Sequence, residues 1–150
     1  MAEGDAVVAK YRTGPTPTWP WPDEHDLAAF LCAAAAAPVP FKLTGGLHHA
    51  VRGTYRVDGV PEENHGVLDV LVATAAALDG ASTDTVAALL AVRDSGALTE
   101  LVLAWSGDTT ARVRAAFTAY GCCTVTDPLG ELADLGLPTA PDRPGRTDAP

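Results

Sequence analysis

The sequence predicts an α/β fold in which short parallel strands alternate with helices, amounting to about half of a (β/α)8-type barrel. Short apolar runs at 6–12, 39–43 and 122–126 are separated by alanine-rich stretches with helical spacing. Glycine or proline follows each run within a few residues. Residues 1–137 are therefore expected to form a single domain, and the proline-rich residues 138–150 a disordered tail.

The N-terminal third contains clear boundary signals. The β-branched run 6–12 predicts a strand, and four prolines in the next ten residues predict an ordered loop. Asp23 is placed to cap a helix over 24–37, which Pro38 would end. A second, buried strand is expected at 39–43.

In the remaining chain, the pattern over 47–64 is weak and polar, and RVDGVPEEN at 56–64 predicts a surface turn. Apolar residues at helical spacing, preceded by Ser or Thr caps or followed by glycine, predict the later helices. We expect helices at 66–78, 82–94, 108–121 and 127–137, and a strand at 122–126. The segment 98–105 fits a strand or a helix end, and we favour a strand.

Charge and cysteine content narrow the class of function. Ten Lys and Arg against nineteen Asp and Glu give a net charge of -9, which argues against nucleic-acid or anionic-membrane partners, since both need clustered cations. No secretory leader or membrane-spanning run is visible. Cys32, Cys122 and Cys123 suggest no disulfide framework, so we expect a cytoplasmic protein with buried thiols.

Polar side chains follow the ends of the predicted strands, where parallel sheets bind ligands. Arg12 suits a carboxylate or phosphate, and the segment 44–46 offers a hydroxyl and backbone N–H groups, as an anion-binding nest does. The residues expected to bind substrate are Lys10, Arg12, Thr13, Thr44, Gly45, Gly46 and Asp127.

Lys42 is the candidate for catalysis, together with His48 and His49. A lysine at an inward strand position is costly to bury unless it is paired or reactive. Burial lowers the pKa of a lysine toward the range that suits a base or an imine-forming nucleophile. One of the two histidines would then move protons. The structural alternative is that the lysines extend to solvent or pair with acids such as Asp127.

A weaker alternative is zinc held by His48, His49 and His65. Adjacent side chains point apart in extended backbone, and no His-x-x-x-His or Cys-x-x-Cys spacing accompanies them. The sequence therefore predicts no metal or other cofactor. Trp19 and Trp21, in the proline-rich loop, would either cover the site or pack the loop.

Four segments resemble one protein family. They are AKYRTG at 9–14, VPFKLTGGLHHAVR at 39–52, HGVLDVL at 65–71 and AAFTAYGCCTVTDPLGELADLGL at 115–137. They are similar to the AKxRTGG, FKxTAGLHHPV, HGFLNVL and FGSC-SxxEP-xxDLxxLGL segments of an uncharacterised bacterial family, mainly actinobacterial. The resemblance covers 8–137 and the C-terminal half of that family, and implies a barrel-type fold without assigning a reaction. Pro15 and Ala50 depart from it, where the family has glycine and proline.

These observations predict a lyase, aldolase or isomerase acting on a small anionic or carbonyl-bearing metabolite, since no nucleophile–base pair of a hydrolase is evident. The alternatives are a non-catalytic half-barrel that binds a ligand or partner, and a zinc-dependent hydrolase. The family's N-terminal half has no counterpart here, so we expect exposed sheet edges and association with a second copy or another subunit.

Overall fold

The computed structural model describes residues 7–139, which form a mixed α/β structure. The elements in chain order are β1 (Ala9–Arg12), α1 (Glu24–Ala36), β2 (Phe41–Thr44), β3 (Gly53–Val57), β4 (Val60–Asn64), α2 (Val67–Leu78), α3 (Thr83–Leu90), α4 (Ser95–Leu103), α5 (Gly107–Ala116), β5 (Phe117–Tyr120) and α6 (Thr126–Asp134). Between Val7 and Thr139, no helix is long and apolar enough to cross a membrane.

A three-stranded parallel sheet in the order β1-β2-β5 confirms the predicted parallel arrangement. β3 and β4 form a separate antiparallel hairpin. Over the described residues, the sheet does not close into a barrel. Because β2 lies in the centre, the segment after its last residue leaves the sheet between the ends of the other two strands.

One face of the sheet contributes to the core, and α1 packs against it. Phe41 and Leu43 of β2 are fully buried on this face. Tyr11 stacks on Phe30 of α1 with ring centroids 4.7 Å apart, and Phe30 meets Phe41 edge-on at 5.6 Å. Since side chains alternate along a strand, the intervening residues of β1 and β2 must point away from α1.

Several predicted elements are confirmed with their local causes. Asp23 caps α1 by accepting hydrogen bonds from the backbone N–H groups of His25 and Asp26, both at 2.9 Å. Ser82 caps α3 through the N–H of Thr85 at 3.2 Å. The helix predicted at 66–78 is α2, and the helix predicted at 127–137 begins one residue earlier as α6.

The strand predicted at 98–105 is wrong, because this segment lies in α4 and the turn that follows it. The carboxylate of Asp94 caps the helix by accepting the N–H of Ala97 at 3.1 Å. Leu98 is buried, and Val102 and Trp105 pack against the core at the spacing of a single helix face. That spacing outweighs the strand propensity of the apolar run.

The helix predicted at 108–121 ends at Ala116, and the chain continues as β5. Phe117 stacks on Phe41 of the neighbouring strand, with centroids 5.3 Å apart and ring planes within 9°. This contact with a distant residue draws the last four residues of the predicted helix into the sheet. The strand predicted at 122–126 is therefore also wrong, because the third strand of the sheet is β5, which ends before this segment begins.

The weakly patterned stretch 47–64, with its surface turn predicted at 56–64, contains the β3–β4 hairpin. The turn itself was predicted correctly at Asp58-Gly59, where both residues have positive φ, at 50° and 80°. Two central residues with positive φ are typical of a tight hairpin connection. The predicted disordered tail lies largely outside the described residues, since the description ends at Thr139.

Candidate functional site

The loops that follow β1 and β2 are held together by close glycine contacts. A Cβ on Gly14 would lie 1.5 Å from the carbonyl oxygen of Gly45, and a Cβ on Gly46 would lie 2.8 Å from the backbone nitrogen of Gly14. Thr13 is fully buried and donates from Oγ1 to the Thr44 carbonyl at 3.2 Å. These contacts require glycine and a small hydroxyl residue, whatever the loops bind.

This packing already uses some of the polar groups of the predicted anion nest at 44–46. The N–H of Gly45 donates to the Gly121 carbonyl at 3.2 Å, and Gly46 is buried. Thr44 directs its hydroxyl to the Tyr11 carbonyl at 3.5 Å. These groups connect β2 to its neighbours and give Thr13 and Gly45 a structural role, while the predicted contact with substrate stays a prediction.

Arg12 lies across the same junction. Its Nε donates to the Gly14 carbonyl at 3.2 Å and its Nη2 to the Pro15 carbonyl at 3.1 Å. A Cβ on Gly45 would come within 3.0 Å of the guanidinium carbon, so the guanidinium lies directly over this glycine. Two of its five N–H groups are thus used to fix its position on the exposed side of the sheet.

Lys10 and Lys42 are exposed and lie side by side in register on β1 and β2. They point away from α1, on the face of the sheet that the core does not use. The predicted burial of Lys42 is therefore wrong, and an imine-forming role loses the desolvation on which it depended. In the part of the chain that the structure describes, neither lysine forms an ion pair with Asp127 or another acid.

His49 and Glu131 form a hydrogen-bonded pair between the loop after β2 and helix α6. His49 Nδ1 lies 2.8 Å from Glu131 Oε1, and the other carboxylate oxygen accepts the N–H of Ala50 at 2.7 Å. An ionised carboxylate only accepts hydrogen bonds, so Nδ1 must carry the proton that is donated to Glu131. In the neutral imidazole, Nε2 is then the unprotonated nitrogen and can accept a proton. A carboxylate that fixes one imidazole nitrogen is the arrangement that orients a proton-transferring histidine.

Tyr55 of β3 supports the same imidazole. Its ring stacks on His49 with centroids 3.4 Å apart and planes within 7°, and its hydroxyl donates to the Val51 carbonyl at 2.6 Å. Burial, with a smaller contribution from the charge of Glu131, raises the pKa of the Tyr55 hydroxyl, so it stays protonated. The imidazole is therefore restrained both by stacking and by a carboxylate.

A second hydrogen-bonded group of polar side chains surrounds the buried His65. Arg52 donates from Nη1 to His65 Nδ1 at 2.9 Å and from Nη2 to Glu24 at 3.1 Å. His65 is 2% exposed, and its Nε2 donates to the Pro22 carbonyl at 2.7 Å. Desolvation lowers the pKa of His65, so the neutral imidazole is favoured. Both of its nitrogens are occupied.

This geometry contradicts the zinc alternative built on His48, His49 and His65. A histidine needs one free, unprotonated nitrogen to bind zinc, and His65 has none unless it breaks its bond to Arg52 or Pro22. Among residues 7–139, no group of three His, Cys, Asp or Glu side chains is arranged to hold a metal ion. His48 is half-buried and takes no part in either hydrogen-bonded group.

Asp69, on the first turn of α2, anchors the same loop from the other side. It is fully buried, and its Oδ2 accepts the N–H of Arg52 at 2.8 Å. Its Oδ1 has no hydrogen-bond partner within the described structure. Desolvation raises the pKa of Asp69 to about 7. A Cβ on Gly66 would lie 2.3 Å from Oδ2, so only glycine leaves room for this carboxyl group.

The sequence pattern identified His49 but missed the residues around it. Glu131, Tyr55, Glu24 and Asp69 come from four separate elements and Arg52 from the loop before β3, and no local motif connects them. One signal was present: Asp69 interrupts an otherwise apolar helix with a residue that is rarely buried. Asp127 was placed at a strand end but lies exposed at the start of α6.

Comparison with known proteins adds no further assignment. No protein-family model, no curated protein and no solved structure matches the chain.

Proposed function

We propose that this chain catalyses proton transfer on a small anionic, carbonyl-bearing metabolite, as lyases and isomerases do, with His49 as the proton-transferring side chain. The observation that carries the proposal is the 2.8 Å hydrogen bond from His49 Nδ1 to Glu131. It assigns the donated proton to Nδ1 and leaves Nε2 to accept a proton from a substrate carbon or oxygen.

The restraint on His49 supports catalysis over a purely structural role. A core histidine usually uses both nitrogens, as His65 does with Arg52 and Pro22. His49 has one assigned hydrogen bond, and about a quarter of its side chain is exposed, at 24%. Its orientation is fixed by the stacked ring of Tyr55, so little conformational freedom is lost when a substrate binds.

The anionic part of the metabolite is proposed to bind the cations of β1 and β2. Lys10, Arg12 and Lys42 lie on the uncovered face of the sheet, and Arg12 and Thr44 are the last residues of their strands. Because Lys42 is exposed, we propose that it acts through its charge instead of forming an imine. The sequence predicted Lys42, His48 and His49 as catalytic residues. In this proposal His49 alone transfers the proton, and Lys42 assists through its positive charge.

Hydrogen exchange at carbon tests this proposal. Small 2-oxo acids, 3-oxo acids and hydroxyketone phosphates are incubated with the protein in D2O, and loss of the proton next to the carbonyl is followed by proton NMR. We expect accelerated exchange of at least one compound. Replacement His49→Gln should slow it by about 10²–10⁴-fold, the usual contribution of a general acid–base.

The matched control is His25→Gln, which changes an exposed histidine on the first turn of α1 and should retain the wild-type rate. Circular dichroism of each variant verifies that the fold is kept. Equal rates for wild type and a folded His49→Gln, or no accelerated compound in the panel, would contradict the proposal.

A second candidate is a half-barrel that is completed by a second copy of the chain. Specific observations favour it: β1 and β5 are both edge strands, and one face of this parallel sheet is uncovered, whereas parallel sheets are normally covered on both faces. An apolar cavity of about 430 Å³ runs beside β5, lined in part by Val125, Leu129 and Tyr120. A second copy placed along these edges would cover both features, with or without catalysis.

We also propose a cytoplasmic setting and kinship with the actinobacterial family that the sequence resembles. Cys32, Cys122 and Cys123 are free thiols, which suits a reducing compartment. The glycines of AKYRTG and FKLTGG, which carry the resemblance, are the residues that allow the loops after β1 and β2 to touch. The glycines of these segments are therefore needed for the packing of the loops, whatever reaction the protein performs.

A further inference from the structure

The two lysines of this chain are neighbours in the fold. The 150 residues contain Lys10 and Lys42 and no other lysine. They come from strands 32 positions apart in sequence, and they are direct register partners on β1 and β2. Adjacent strands lie about 4.8 Å apart, so two like charges leave the same face of the sheet side by side.

This arrangement costs stability unless an anion offsets it. Like charges directly opposite on neighbouring strands repel each other. The chain has nineteen Asp and Glu, yet the ion pairs of the described segment are all made by arginines and His49. A protein this acidic could readily place a carboxylate between the two lysines. Over residues 7–139, it does not.

A third cation lies on the same face. Arg12 follows Lys10 by two residues, so its side chain leaves β1 on the same side, and its guanidinium is held over Gly45 by the carbonyls of Gly14 and Pro15. Lys10, Lys42 and Arg12 are all exposed, as is Ala119 of β5, which is the register partner of Lys42. We call this surface the cationic face. It is open to a ligand over all three strands.

We propose that the cationic face binds a phosphate-type dianion, such as a phosphate monoester, between the ammonium groups of Lys10 and Lys42 with Arg12 beside them. Two point-like ammonium charges match a dianion in charge and can approach different oxygens of one tetrahedral group. The prepositioned guanidinium supplies further N–H donors. The inference names the anionic group of the substrate and to that extent rests on the proposed function.

The presence of two lysines allows a direct experiment on the intact chain. Reductive methylation with carbon-13 formaldehyde places dimethyl labels on Lys10 and Lys42, keeps their charge, and gives few other signals. Inorganic phosphate is titrated at pH 8 and constant ionic strength, with succinate, acetate and chloride as comparison anions. We expect both lysine signals to shift with phosphate along one binding curve, at least tenfold tighter than with acetate or chloride.

Variants test the geometry behind that curve. With Lys10→Met, the response of Lys42 to phosphate should be lost, whereas Arg56→Met removes an exposed cation on β3 and should leave both signals responding as in wild type. In low salt without phosphate, Lys10→Met should raise the melting temperature, because the repulsion is removed. Phosphate should raise the melting temperature of the wild type and not of the double variant Lys10→Met with Lys42→Met.

Three results would overturn the inference: lysine signals that do not respond to phosphate, an equal response to chloride, or tighter binding of succinate than of phosphate. The outcome is separable from that of the proposed function. Phosphate binding with no His49-dependent exchange would contradict only the catalytic proposal, and His49-dependent exchange without phosphate binding would contradict only the cationic face.

Discussion

At the scale of single residues, the segment 49–52 is fixed by acids that come from distant elements. Glu131 of α6 holds Ala50 and His49, and Asp69 of α2 holds the backbone of Arg52. The two acids differ in environment: Glu131 is half-buried, whereas Asp69 is fully buried with one unpartnered oxygen. Removing a carboxylate from water without a full set of donors favours its protonated form, so Asp69 carries the clearest electrostatic cost of this site.

The raised pKa of Asp69 predicts a specific dependence of stability on pH. The folded pKa of about 7 lies above the ordinary value of 3.8, so the folded state retains a proton that the unfolded state has already lost. Its contribution to the free energy of unfolding is fully present below about pH 4 and is lost as the pH rises to 7. Each pKa unit corresponds to about 1.4 kcal/mol, so the loss amounts to a few kcal/mol.

Replacement Asp69→Asn should remove this contribution, because asparagine can still accept the N–H of Arg52 and does not titrate. Urea unfolding between pH 4 and 8 measures the slope. The lowered pKa of His65 acts in the opposite direction below about pH 6.5, but it is common to both proteins and cancels in their difference. The control Asp84→Asn, an exposed acid on the first turn of α3, should retain the wild-type slope. An unchanged slope in Asp69→Asn would show that this carboxyl group does not titrate near neutrality.

At the scale of elements, local signals predicted the structure well where the conformation of a helix or strand depends mainly on its own residues. Asp23 and the apolar run of α2 predicted two helices at nearly their observed bounds, and Ser82 predicted the start of α3, which ends at Leu90 instead of the predicted residue 94. Local signals failed where a contact with a residue distant in sequence determines the conformation. Phe117 leaves its helix because Phe41 offers a stacking partner in the sheet, and no local pattern around Phe117 reveals this.

The candidate site shows the same limit. Strand-end position selected His48, His49 and the cations of β1 and β2 as candidates, and their roles stay predictions. The direction of Lys42 could not be read from its strand, because alternation gives two faces without saying which one the helices cover. Glu131 was missed because it lies 82 residues after His49 in the sequence. Tyr55 was missed because it belongs to a hairpin that was not predicted. Their relation to His49 exists only in three dimensions.

At the scale of the whole molecule, one face and two edges of the sheet are left without partners in the described part of the chain. The helices cover the side that carries Phe41 and Leu43, and the other side carries the cationic face. A small ligand would cover only part of this surface. The second candidate function, association through the strand edges, therefore complements the anion site and can be tested separately.

Association through the β5 edge predicts that a charge in the cavity beside it disrupts the dimer. Val125 lines this cavity and is 51% exposed, so Val125→Glu should be tolerated in a single chain and should repel an apolar partner surface. Light scattering after size-exclusion chromatography should show twice the mass of one chain for the wild type and a single chain for this variant. Val57→Glu, at a similarly exposed valine on the hairpin, serves as the control. A monomeric wild type at all concentrations would exclude completion by a second copy.

The protonation of individual imidazole nitrogens tests the central claim about His49 most directly. The protein is labelled with nitrogen-15 histidine, and long-range proton–nitrogen correlation spectra are recorded as the pH is raised until the imidazole signals stop changing. The structure predicts opposite tautomers: His49 with its proton on Nδ1, donated to Glu131, and His65 with its proton on Nε2, donated to Pro22. In Glu131→Gln, the signals of His49 should move while those of His65 stay. A proton on Nε2 of His49, with Nδ1 unprotonated, would contradict the pairing with Glu131 and the proton transfer proposed from it.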